Sequence, residues 1–424
     1  MKASPSIRFC FLGTLLLSGA QGYADQPEVI SAEPPGGFVD EATEVLVEGR
    51  GLSPSASVLL VRAGPSPGRS FLTPGYSEGI ALAEGHAYIA DGWSGLLVID
   101  LDSLTPVLAG AFDTPGYAYG VAVAGGYAYI ADAAAGLQVL DVRDPSSPTL
   151  VGSHATPGSA RRVAVSDGYA FVATSSGLQV LDVHHSNAPT FVTGLDTPSP
   201  AYGVAVADGY AYVADRESGL LVIDVHIPSS PELVGHCRTR GLANDVAVAG
   251  GFAYVADGDR GLQVIDVRDP SAPALAGGCE ASVHAAGVAV SDGYAYVTGG
   301  SSGLQVIDVS DPYAPTLTDS FDTPDYARDV AVGDGHAFVA DCASGVQVKR
   351  LSPPLQNVVV GSDNTITFRV PAGFAPGLYH IYVTNPDGAT GVLPHGFRIR
   401  VRQSQPSIPV SFLGIESAAI CGAG

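Results

Sequence analysis

The chain of 424 residues is 46% hydrophobic and 15% charged, holds 53 Gly and 31 Pro, and carries a formal charge of −22. So much apolar content with so little charge excludes a disordered chain, and Gly and Pro at this density exclude long helices. The acidity excludes phosphate backbones and anionic bilayers as partners; an all-β protein of many short strands and turns fits.

In chain order, residues 1–24 read as a signal peptide. Lys2 and Arg8 form its basic start, 9–17 (FCFLGTLLL) its apolar stretch, and Gly22 and Ala24 suit cleavage before Asp25. The apolar run is too short to span a bilayer. Loss of the segment removes two cations and no acid, leaving −24. The mature protein is expected to be secreted, extracellular or periplasmic, without a membrane span, and monomeric.

Residues 27–63 hold three strand-like stretches, 27–37, 44–52 and Ser57–Arg62. From 66 to 351 the chain repeats itself. A Gly before an apolar strand recurs at Gly95 (GLLVID), Gly136 (GLQVLD), Gly177, Gly219, Gly261, Gly303 and Gly345 (GVQVKR), spaced 41 or 42 residues apart. An aromatic strand precedes each, such as Tyr127 onward (YAYIAD), and a Val/Ala strand precedes that, such as Val121-Ala122-Val123. Asp/Pro/Ser turns lead to a fourth strand. Four short strands per 42 residues, seven times, predict a seven-bladed β-propeller. The seventh repeat stops after its third strand; residues 69–75 parallel 110–116 and are expected to supply the missing strand, removing an open edge. Residues 354–401 return to strand-like stretches, and 403–424 show no pattern.

The seven in-register repeats, five of them reading GL-x-[IV]-[IVL]-D-V in full, resemble the LVIVD-repeat family of bacterial and archaeal surface proteins, which implies a fold and a location but no reaction. The flanks, 27–63 with 354–401, are similar to the opening and closing strands of an IPT/TIG immunoglobulin-like domain, including the Val-Pro-Ala-Gly step at 370–373 and the Asn-Pro-Asp-Gly turn at 385–388. The resemblance implies one discontinuous β-sandwich with the propeller inserted.

Chemistry is sparse. Gly299-Gly300-Ser301-Ser302-Gly303 matches G-x-S-x-G but fills a hairpin, not a strand-to-helix elbow. Asp257-Gly258-Asp259 lacks the further oxygens a calcium loop needs. The Asp recurring at the ends of second and third strands, such as Asp132 and Asp141, is read as a turn-former. The scattered His residues suggest no zinc site. No cofactor and no metal are expected. Of Cys237, Cys279, Cys342 and Cys421, the first two lie one repeat apart, too far for a disulfide.

The informative positions are those where uniform repeats disagree. Before each first strand stand Glu78-Gly79, Tyr119-Gly120, Arg161-Arg162, Tyr202-Gly203, Asn244-Asp245, Ala286-Gly287 and Arg328-Asp329, with His284 and Tyr326 just upstream. They are expected to ring one mouth of the axial channel. Glu78, Tyr119, Arg161, Arg162, Tyr202, Asn244, Asp245, His284, Arg328 and Asp329 are the candidate ligand-binding residues; arginines and tyrosines on so acidic a protein suit a carboxylate or a sugar. Trp93 sits in a hairpin loop as a further contact candidate. The expected function is a non-catalytic, secreted or cell-surface repeat protein that binds a protein or ligand, carbohydrate included, through a propeller face. The alternatives are a propeller lyase or hydrolase acting at the mouth, and a purely structural surface-layer component.

Overall fold

The computed structural model describes residues 69–351, apart from 102–106, 281–283 and 334, together with strands between 28 and 62 and between 356 and 400. The signal segment, the tail and Cys421 lie outside the described residues. Every described element is a β-strand.

Blade 2 shows how the repeat folds. Gly120–Ala124, Tyr127–Ala131, Leu137–Asp141 and Thr149–His154 form an antiparallel sheet in that order. Gly136, at φ 79°, turns the chain into the third strand; a Cβ there would stand 2.3 Å from the His154 carbonyl oxygen, so the hallmark Gly is set by the backbone. Six blades are contiguous. The seventh joins Asp329–Gly333, His336–Ala340 and Val346–Arg350 to the upstream strand Arg69–Phe71, with Phe71 opposite Val346. This is the closure the sequence predicts. Each first strand packs beside those of both neighbours, and Asp329–Gly333 beside Gly79–Ala83 completes the ring.

The core is a series of layers between blades. Tyr129, Leu137 and Val139 of blade 2 pack against Val163, Val172 and Leu181 of blade 3. A fully buried Leu such as Leu140 contributes about 2 kcal/mol by leaving water. Hydrogen bonds fix the crossings: buried Asp132 accepts the Thr114 hydroxyl at 2.8 Å and the Gly116 amide at 2.8 Å. Asp91, Asp215, Asp257 and Asp341 accept the equivalent crossing amides, from Gly75, Ser199, Gly241 and Asp325. At the third-strand ends, Asp182 and Asp224 accept the amides of His184 and His226. Both sets are structural. Cys237 is a free thiol, so it is not bonded to Cys279.

The fourth strand of one blade lies under the Pro-bounded turn of the next. A Cβ on Gly152 would sit 2.4 Å from the Ser186 carbonyl oxygen and 2.7 Å from Pro189 Cδ. Gly152→Ala is therefore expected to lower stability by about 1–3 kcal/mol through overpacking, read from urea unfolding; an unchanged midpoint would show that the turn yields freely. In blade 6, Asp319 takes this glycine's place opposite the third strand.

The strands on either side belong to a second compact unit. One sheet orders Glu28–Glu33, Thr43–Arg50, Thr365–Val370 and Gln356–Val360; the other orders Gly36–Phe38, Thr390–Arg400, Gly377–Thr384 and Ser57–Arg62. Each sheet takes strands from both flanks of the chain.

Candidate functional site

The segment entering each first strand alternates in direction. In Tyr117-Ala118-Tyr119-Gly120, Ala118 is fully buried while Tyr117 and Tyr119 line an open cavity of about 1330 Å³. Gly120 packs against the next blade, where a Cβ would stand 2.7 Å from the Arg161 carbonyl oxygen. The same period of two applies in every blade. It separates the residue pairs into an upper ring that lines the mouth and a lower ring at the crowded axis.

Of the ten candidate residues, eight line the cavity: Glu78, Tyr119, Arg161, Arg162, Tyr202, Asn244, His284 and Arg328. Asp245 and Asp329 do not; both are buried. The Asp329 carboxylate accepts the Ile80 amide at 3.0 Å and pairs with Arg162 at 2.8 Å. Asp245 accepts the Val288 amide at 3.1 Å. The lower ring thus holds Gly in four blades and Arg162, Asp245 and Asp329 in the other three. Burial works to lower the Arg162 pKa, but the charges of Asp329, Asp245 and Glu78 hold it above its ordinary value. Burial raises Asp245 despite the opposing pull of Arg162.

The cavity lining is strongly cationic. Six arginines, Arg161, Arg162, Arg216, Arg240, Arg260 and Arg328, line the cavity against two acids, Glu78 and Asp259. The acids are engaged. Glu78 accepts the Tyr117 hydroxyl at 2.8 Å and lies 3.4 Å from Arg328, while Asp259 pairs with His284. Burial, then the Glu78 carboxylate, push the Tyr117 hydroxyl pKa well up. Arg328 sits over the Tyr326 ring at 4.6 Å and donates to Cys342 Sγ at 3.3 Å.

Arg161 is held differently. Its guanidinium lies 4.6 Å from the Tyr119 ring centre and 4.5 Å from that of Tyr202. Its buried Nε has no hydrogen-bond partner among the described residues. Arg216 stands 4.4 Å from the same Tyr202 ring and donates to the neutral Asn244 side chain at 2.8 Å. Trp93, 71% exposed, meets Tyr117 edge-on at 5.1 Å, and Tyr117 meets Tyr119 at 4.7 Å. An aromatic and cationic ladder therefore runs from Trp93 to Arg216. Stacking fixes the guanidinium plane and leaves its edge to hydrogen-bond.

Tyr117, Arg216, Arg240, Arg260 and Asp259 were not among the sequence candidates. Arg216 sits on the hairpin between second and third strands and bridges Ala243 of the next blade. Equivalent positions are Gly92, Ala133, Gly258, Gly300 and Cys342, so comparing repeats there also singles out the Arg. Among the described residues, no group of three or more His, Cys, Asp or Glu is placed to hold a metal ion, and no helix is long and apolar enough to cross a membrane.

Comparison with solved structures finds the same fold at low identity. A chain of the Mitotic Checkpoint Complex matches 70% of this chain and 94% of its own length, with 14% identity and TM-score 0.55. YCF48 bound to D1 peptide matches 70% of this chain and 98% of its own length, with 12% identity and TM-score 0.52. The computationally designed Ika8 protein covers 67% and 98%, with 10% identity and TM-score 0.50. At such identities the likeness shows the fold alone. No curated protein matches the chain. The LVIVD repeat model matches six times, at 74–114, 115–156, 157–197, 200–239, 240–281 and 283–323. The blade without a match is the one assembled from both ends of the ring. With more than half of its length covered by these repeats, the chain belongs to the LVIVD-repeat family.

Proposed function

We propose that the mature protein is an exported, non-catalytic interaction module that binds an anionic partner through the axial mouth of its propeller. The observation that carries this reading is Arg161, clamped between two tyrosines and facing a cavity with six arginines and two engaged acids, on a chain of charge −22. Against that background, a cationic cavity focuses anions. The lower ring, with Arg162 set between two carboxylates, gives the cavity a floor. A propeller repeat protein suits protein binding, and YCF48, which shares the fold, is bound to a peptide; this support is analogy of fold. The basic start, apolar stretch and small-residue cleavage site of residues 1–24 support export. The two flanking sheets, each drawing strands from both ends of the chain, support an IPT/TIG-like sandwich over 27–63 and 354–401 that serves as spacer or dock.

The test is an array of anionic and neutral peptides, glycans and metabolites probed with the mature chain and with an Arg161→Ala/Arg328→Ala variant. Anionic binders that weaken at least tenfold in the variant, and weaken with added salt, are expected. Equal binding by variant and wild type would place the interaction elsewhere.

A further inference from the structure

We propose that the mouth is a two-carboxylate receptor for an extended acidic peptide, with Arg161 and Arg216 each taking one carboxylate on either side of the Tyr202 ring. This rests on the reading of the mouth as the binding face and adds the class of partner and its charge spacing.

The geometry starts from one ring. Arg161 and Arg216 lie 4.5 and 4.4 Å from the Tyr202 ring centre, so their guanidinium carbons are at most about 9 Å apart. Arg161 comes from blade 3, whereas Arg216 sits on the blade 4 hairpin and bonds Asn244 at the entry to blade 5, so the Tyr202 ring stands between them in ring order. Neither has a carboxylate partner among the described residues: Arg161 has rings on both sides and an unsatisfied buried Nε, and Arg216 has the neutral Asn244 amide. In contrast, Arg162, Arg260 and Arg328 are each paired, with Asp329, Glu280 and Glu78. Arg240, on the crossing that leaves blade 4, adds a third cation, so the uncompensated charge is concentrated on blades 3 and 4 and the crossing after them.

An extended peptide advances about 3.3 Å per residue and places side chains i and i+2 on one face, about 7 Å apart. Glu or Asp at those two positions reaches both guanidinium edges, whereas adjacent acids point to opposite faces. Planar guanidinium edges favour bidentate carboxylates, and arginine clusters are a recurring solution for acidic-motif recognition. Trp93 and Tyr117, at the other end of the ladder, offer an apolar platform for the flanking part of the peptide.

Trp93 is the only Trp in the chain and lines the cavity, so tryptophan fluorescence, excited at the red edge where the 18 Tyr do not absorb, reports on the mouth. The mature chain would be titrated with a blocked Gly/Ser peptide bearing two Glu at i and i+2, with versions carrying Gln at either or both positions or adjacent Glu, and with a uronate trisaccharide. The Glu-x-Glu peptide is expected to bind at least tenfold more tightly than any Gln or adjacent-Glu version. In Arg161→Gln or Arg216→Gln proteins, exchanging one Glu for Gln is expected to lose much of its effect, because the pair is already broken. Equal binding of Glu and Gln peptides, no spacing preference, or binding of the trisaccharide alone would overturn the proposal while leaving an anion-binding mouth intact. If no anion in the array or in this series perturbs Trp93 in an Arg161-dependent way, the mouth reading fails as well.

Discussion

Replacing Arg162 by Met is expected to destabilise the propeller by about 3 kcal/mol, because it leaves two buried carboxylates facing each other without a cation. Arg162 lies 2.8 Å from Asp329 and attracts both Asp329 and Asp245 across the axis, and its side chain is only 19% exposed. Each carboxylate also accepts an amide at the start of a neighbouring first strand, Ile80 for Asp329 and Val288 for Asp245. The repulsion would therefore act where the first strands converge. Met keeps much of the volume, which separates the loss of charge from the loss of packing. The control is Arg162→Met/Asp329→Asn: removing one of the two opposed charges is expected to recover more than half of the loss, as measured by urea unfolding of both variants. A single variant as stable as wild type would mean that the axial charges are solvated well enough to need no partner.

The blades were legible because the repeat is a physical unit that recurs. Gly136 and its six equivalents turn the chain into the third strand under a fixed backbone constraint, and the Asp132 type of residue ties each crossing, so both appear at the same place every 42 residues. The split seventh blade was legible for the same reason: 69–75 matches 110–116, and Arg69–Phe71 does pair with Val346–Arg350. The mouth was legible only in part. Residues just before the first strands stood out because they differ between blades, but difference alone does not divide each pair, as the strand period of two does. It sends Tyr119, Arg161 and Asn244 to the cavity and Gly120, Arg162 and Asp245 to the axis, with Arg162 long enough to reach the cavity floor as well. Arg216 and Asp259 were missed because they come from a hairpin far from those pairs in sequence, and only ring closure brings the two sets together. Of the clamp around Arg161 only the ring order was legible: Tyr119 and Tyr202 hold the equivalent position one repeat away on either side, but the repeat does not say that their rings close on the guanidinium.

Thermal stability is expected to be higher at pH 5 than at pH 8, the reverse of a protein whose acids are mainly engaged in surface pairs. Burial raises the pKa of Asp91, Asp132, Asp215, Asp257 and Asp341 above the usual carboxylate value, against the hydrogen bonds each accepts. Burial pushes Asp319 up to about 6, with the Ser320 amide and Lys349 pulling the other way. A group whose pKa is raised by folding adds stability when protonated, and that contribution is lost as pH climbs through the folded value. The exposed turn acids have the opposite sign. Arg143 holds Asp141 down to about 2, and the amides and rings of His184 and His226 lower Asp182 and Asp224. Their contribution is lost only as pH falls below the ordinary carboxylate range. Between the two sets the optimum falls near the ordinary carboxylate value, about pH 4, and relief of the self-repulsion of a −22 chain also favours the acid side of neutrality. Calorimetry across pH 4 to 9 would read the curve. Asp319→Asn isolates one contributor, on the order of 2 kcal/mol from the size of its shift after allowing for partial exposure. That variant is expected to gain stability at pH 8 and to match wild type near pH 4; a flat profile in wild type, or an unchanged slope in the variant, would show that water reaches these carboxylates despite their burial.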